Sequence, residues 1–250
     1  MNTFKINLLL VFWIIKITDA TFESDFCTPH GENPVICSSF LFRESEIINI
    51  TFVSNYLSRS ESIILKNGAM PRLPINMFIA FPDVQNLSIN YCGLINITKE
   101  LLKPSAPTKF EILNLANNYI ELIPQNAFEY VKYLKMLILT KNRIVYLDEN
   151  VFEKLSLIEH IDISYNFLKR ISIDHFKYLK MKNLQNLDLS YNNLKELDLD
   201  LFDYLTKLKF FNISHNALRI RYTTPLRNDF NVTYAQKQLI SEKHYDFTST

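Results

Sequence analysis

The one candidate cluster for acid–base or metal chemistry in this 250-residue chain is His160, Asp162, Asp188 and His215. Paired carboxylates flanked by imidazoles can bind a divalent cation or relay a proton. The rest of the sequence lends that reading little support. None of the five histidines falls in a helical zinc-protease motif, and no G-x-S-x-G nucleophile elbow occurs. Only 3 glycines are present, which disfavours phosphate and dinucleotide loops built on glycine-rich turns. The chain is expected to be no enzyme, with no cofactor and no metal. What the four residues do instead depends on the elements that carry them.

Those elements repeat. The stretch "LQNLDLSYNNLKEL" (184–197) places Leu184, Leu187, Leu189, Asn192 and Leu194 at positions 1, 4, 6, 9 and 11, and "LIEHIDISYNFLKRI" carries the same phrase 26 residues earlier. Units begin at residues 60, 84, 110, 134, 158, 184 and 208. Position 14 is again apolar (Ile123, Leu147, Ile171), and position 19 is mostly Phe (Phe128, Phe152, Phe176, Phe202). Positions 4 and 6 alternate inward along one short strand. Position 9 falls where the chain turns, and an inward Asn there can donate to and accept from buried backbone groups. Later positions return apolar side chains beneath the strand. One unit cannot bury such a face alone, so the units must stack into a solenoid. Within that register His215 is displaced from His160 and Asp162, which argues against convergence on one ion.

The phrase resembles the leucine-rich repeat over about residues 60–218. The resemblance implies an α/β solenoid: a leucine-rich repeat horseshoe with a parallel concave sheet and about seven repeats of 24–26 residues. Gly68 and Cys92 stand where Asn is usual, and Cys92 reads as a buried core thiol rather than a reactive one. The segment "IILKNGAMPRLPINMFIAFPDVQNLSINYCGLINI" (63–97) resembles secreted leucine-rich repeat proteins of insects, including the mosquito leucine-rich immune proteins. That likeness implies extracellular recognition, with innate immunity as the setting. An adhesion or receptor-type ectodomain lacking its membrane anchor is the alternative.

The ends read differently from the middle. Residues 1–20 have a basic start at Lys5, an apolar run and small residues before the boundary, as a secretory signal peptide does. The run is shorter than the ~20 apolar residues of a membrane span. A secreted, extracellular protein with no membrane span is therefore expected. Losing Lys5, Lys16 and Asp19 from the 27 basic and 26 acidic residues leaves 25 of each. A neutral chain has no global field for nucleic acid. Residues 21–59 read as an N-terminal cap, with Cys27 and Cys37 as its disulfide and "EIINITFV" (46–53) as the strand pairing with the first repeat. Residues 219–250 read as a C-terminal cap and polar tail, without the cysteines of fuller extracellular caps.

Export would make Asn49, Asn86, Asn96, Asn212 and Asn231 glycan acceptors, since each opens an Asn-x-Ser/Thr sequon. Asn96 and Asn231 are expected to be used first, because Asn86 and Asn212 fall on the strand segment. The expected partner is an extracellular protein ligand, bound on the concave face. Positions 3, 5, 7 and 8 are expected to point outward there. In the C-terminal half they bring Tyr165, Tyr191 and His215 into one stacked column, with Asp162 beside Asp188 and with His160 and Asn212 adjoining. Tyr offers large contact area at low entropic cost. Two neighbouring carboxylates call for a basic group, expected from the partner as Lys or Arg. The competing reading is that the Asp and Ser residues come with the repeat pattern and that Tyr reflects strand preference.

Overall fold

The computed structural model describes residues 27–29, 35–38, 61–72, 83–99, 102–103, 109–176, 183–197 and 201–218. The expected signal peptide, the segment 46–53, Asn49, Asn231 and the tail 219–250 lie outside these residues.

The repeat phrase folds as its spacing requires. β1 (Cys27–Pro29) and β2 (Val35–Ser38) precede seven repeat strands. These are β3 (Ser62–Lys66), β4 (Asn86–Asn90), β5 (Ile112–Asn114), β7 (Met136–Ile138), β9 (His160–Asp162), β10 (Asn186–Asp188) and β11 (Phe210–Asn212). Together they form one sheet in the order β1-β2-β3-β4-β5-β7-β9-β10-β11, parallel from β2 onward. Each repeat strand pairs with its neighbour at the same position, so Leu187 lies between Ile161 and Phe211. A second, two-stranded sheet pairs β6 (Leu122–Ile123) with β8 (Tyr146–Leu147) on the return side. Among the described residues the return side also holds a 3-10 turn at Ile173–His175 and one helical turn, α1 (Leu201–Tyr204).

One core runs through the stack. Positions 1, 4, 6 and 11 are buried in the central repeats, as with Phe110, Leu113, Leu115 and Ile120. Each such side chain contributes about 1.5–3 kcal/mol on burial. Position 19 forms a spine in which Phe128 faces Phe152 at 6.3 Å and Phe152 faces Phe176 at 5.6 Å. His175, beside this spine, is buried with its Nε2 3.2 Å from the Leu147 carbonyl and its Nδ1 near Ser172.

The position-9 asparagines link each repeat to the one before. Nδ2 of Asn166 donates to the Leu139 carbonyl at 3.0 Å and to the Ile163 carbonyl at 3.1 Å, while its Oδ1 accepts the Ile144 amide at 2.9 Å. Asn118, Asn142, Asn192 and Asn216 repeat the pattern. Cys92 fits the same slot with half the capacity. Its Sγ donates toward the Leu65 carbonyl at 3.6 Å, the place an Asn amide would fill, and to the Asn90 carbonyl at 3.2 Å. A thiol offers little as an acceptor, and the amide that an Asn oxygen would take, that of Met70, goes to the Cys92 backbone carbonyl instead. Burial pushes the Cys92 thiol up to about 11.

The start of the sheet differs from expectation. The strand set against the first repeat is Val35–Ser38, not 46–53. With β2 on one side of β3 and β4 on the other, β3 has no free edge for another strand. β1 returns antiparallel to β2, with Cys27 directly opposite Cys37.

Candidate functional site

The register aligns side chains into rows across the concave face. Asp162 on β9 lies opposite Asp188 on β10, and Asp188 lies opposite Asn212 on β11; His160 lies opposite Asn186. The row at position 5 therefore runs Ile138, Asp162, Asp188, Asn212. The two carboxylates are handled within the chain. Asp162 Oδ1 accepts from the Ser164 amide at 2.9 Å and its hydroxyl at 2.6 Å, and Asp188 Oδ1 accepts from Ser190 at the same two distances. Asp188 Oδ2 also accepts Asn212 Nδ2 at 3.1 Å. Asn114 and Asn212 accept from the amide two residues on in the same way. The polar position-5 residue thus closes the end of its strand as an Asx-type turn. For Asp162 this is incomplete relief. Burial raises its carboxyl above the usual range, the Ser164 bonds pull it back, and the charge of Asp188 raises it further.

Positions 7 and 8 do not stand on the strand as expected. The central strands end at position 5, so the in–out alternation stops there. Ser164 and Ser190 at position 7 are buried rather than facing out. Position 8 enters the left-handed region in every repeat, from Asn67 (φ 54°) through Tyr91, Asn117, Lys141, Tyr165 and Tyr191 to His215 (φ 56°). Strand preference therefore does not explain the tyrosines. A left-handed conformation costs a side-chain-bearing residue about 1–2 kcal/mol, and Asn is among the few that tolerate it. Asn67 and Asn117 are the undemanding solutions; Tyr165, Tyr191 and His215 are not.

These three rings form the expected column. Tyr165 stacks on Tyr191 with centroids 4.1 Å apart and 9° between planes, and Tyr191 stacks on His215 at 4.0 Å and 15°. Lys141 closes the other end, its Nζ 5.6 Å from the Tyr165 centroid. The Tyr165 hydroxyl, hydrogen-bonded to that of Tyr191, raises the Tyr191 phenol above its ordinary range. Each stack is worth about 0.5–1.5 kcal/mol, enough to offset much of the backbone strain. The rings keep their edges in solvent, with Tyr165 45% and Tyr191 39% exposed.

His215 packs against Tyr191, not into a ligand set with His160 and the aspartates. Among the described residues no group of three His, Cys, Asp or Glu side chains could hold a metal ion. Sequence reasoning passed over Lys141 as the end of the column. It also passed over the half-buried apolar trio Ile112, Met136 and Ile138, which adjoins the aspartates at positions 3 and 5. Their strand positions are the signal that could have found them. Of the glycan acceptors, Asn96 is exposed on the return side, while Asn86 and Asn212 are half-buried on β4 and β11.

Residues 108–168 and 158–218 match the family model described as "Leucine rich repeat". The chain is 30% identical over 145 residues to podocan of Mus musculus, a match covering 52% of this chain and 23% of podocan. It is also 30% identical over 119 residues to the CD180 antigen of Homo sapiens, covering 45% of this chain and 18% of that one. The matched region thus spans less than a quarter of these relatives' own length. Among solved structures, the APL1 leucine-rich repeat domain superposes with a TM-score of 0.62 at 24% identity, over 74% of this chain and 48% of that one.

Proposed function

We propose that this leucine-rich repeat protein is a secreted recognition module that binds an extracellular protein through the C-terminal half of its concave face. The binding residues are His160, Asp162, Tyr165, Asp188, Tyr191, Asn212 and His215. The observation that carries the reading is the stacked column. Three rings sit in a backbone conformation that disfavours them, where the same position holds Asn in other repeats. Strain of this kind, kept where a cheaper residue is available, concentrates at functional sites. Aromatic edges beside a carboxylate pair suit a partner that brings an aromatic or aliphatic anchor and a guanidinium or ammonium group.

Secretion, the Cys27–Cys37 disulfide, glycosylation at Asn49, Asn86, Asn96, Asn212 and Asn231, and a role in innate immune recognition belong to the same proposal. Antiparallel pairing that sets Cys27 opposite Cys37 supports the disulfide. The immune setting rests on the resemblance of residues 63–97.

A photo-crosslinker tests the site. Benzoylphenylalanine replaces Tyr191 on the concave side or the exposed Tyr133 in the turn before β7, and each protein is irradiated in extracellular fluid of the source animal. Crosslinking of one protein from position 191 and not from 133 is expected. The reverse pattern would remove the concave face as the site.

A further inference from the structure

A second binding site opens at the turn edge of the first two repeats, away from the carboxylate pair. Gly68 stands at position 9 in place of the ladder asparagine, and position 10 carries Ala69 and then Gly93. The following repeats fill position 10 with Tyr119, Arg143 and Phe167. The small residues leave a cleft of about 790 Å3 along this edge. Gly93 is left-handed, at φ 71°, and a side chain built on it would reach no atom closer than the Tyr119 ring at 4.0 Å. The cleft is open space over a glycine, not a gap that a neighbour already fills.

Its walls are apolar and aromatic. Tyr91 is 58% exposed, more than any other large apolar side chain among the described residues. Ile95 and Tyr119 are exposed beside it, and Met70 and Cys92 lie buried beneath. Tyr91 pays the left-handed cost at position 8, as Tyr165 and Tyr191 do, but without a stacked ring partner among the described contacts. The charge around these walls has one sign. Lys141 lines the cleft, and the Arg143 guanidinium lies 4.2 Å from the centroid of the Tyr119 ring. No carboxylate lines it among the described residues.

The cleft is open to solvent rather than enclosed, and its aromatic walls with two cations nearby suit a flat ligand that lies against them. We propose that it binds a small planar aromatic anion, an aryl carboxylate or sulfonate. The ring lies over Gly93 between Tyr91 and Tyr119; the negative group meets Arg143, stacked on Tyr119, and Lys141, whose Nζ turns from the Tyr165 ring to reach it. Cationic ligands are disfavoured by the same two side chains.

The chain supplies its own controls. Asn occupies position 8 in the first and third repeats, so Tyr91→Asn and Lys141→Asn keep a residue suited to the left-handed backbone. The full-length protein is titrated with anilinonaphthalene sulfonate, followed by fluorescence, and with its neutral parent, phenylnaphthylamine. Saturation at one dye per chain is expected. Tyr91→Asn should weaken both dyes about tenfold, while Lys141→Asn should weaken the sulfonate alone, an effect that fades with salt. Circular dichroism and urea midpoints confirm folding. Equal binding by wild type and both variants, or no saturation, would overturn the proposal. So would an acidic aromatic peptide that occupied the cleft when the sulfonate did not, since the site would then take a protein segment.

Discussion

Tyr165 and Tyr191 lie face to face at 4.1 Å, 26 residues apart in sequence, both with φ of 53°. The stack and the strain nearly cancel, so the pair adds little to stability. Replacing both with Asn relieves about 1–2 kcal/mol per residue of backbone cost and loses about 0.5–1.5 kcal/mol of stacking per pair. The double variant should therefore unfold within about 1 kcal/mol of wild type in urea and lose partner capture. A large loss of stability would make the column a structural element instead.

The position-9 ladder should behave oppositely. Asn166→Leu leaves the Ile144 amide without its partner, while the Leu139 and Ile163 carbonyls each lose one donor and keep another, from Asn142 and Asn192. One stranded buried amide costs about 1–3 kcal/mol, so a loss of about 2 kcal/mol is expected. Cys92→Ala, which gives up only weak sulfur bonds, should cost less than half as much. Urea midpoints for the two variants check the order.

Thiol chemistry separates the cysteines. With its thiol pushed up to about 11 and fully buried, Cys92 should be inert to a thiol reagent at pH 8 in the native protein. One thiol per chain should react in denaturant if Cys27 and Cys37 are joined. Three would contradict the disulfide.

Asp162 gives a pH signature. Its folded carboxyl is raised, chiefly by burial, so the group's contribution to stability is present below the unfolded carboxylate range. It is lost as pH rises through the folded value. Asp162→Asn keeps an acceptor for Ser164, as Asn212 does for Ser214. The variant should be more stable than wild type at pH 7, with the difference closing toward pH 3. A variant less stable at pH 7 would show that the Ser164 bonds outweigh burial.

The sequence carried the architecture because the repeat writes the same instruction seven times. Apolar residues at positions 4 and 6 in all seven units, with Asn at 9 in the last five, leave few other folds. The alignment of Asp162 with Asp188, and of Tyr165 with Tyr191, follows from that register. What it hid was local. The strand is only three residues long in the central repeats, so alternation could not be carried to positions 7 and 8. Ser164 consequently turns in to serve Asp162, and the tyrosines sit in a left-handed turn. The cap strand was misplaced because both 35–38 and 46–53 are β-branched and apolar. Only tertiary pairing chooses between them.

The most direct measurement compares capture of an extracellular partner by the wild-type protein and by an Asp162→Lys, Asp188→Lys, Tyr191→Ala variant. Both are secreted and glycosylated, and both are checked by circular dichroism. The concave-face account predicts one partner held by wild type and lost by the folded variant, with wild-type affinity falling as salt rises. Equal capture by both proteins would contradict it.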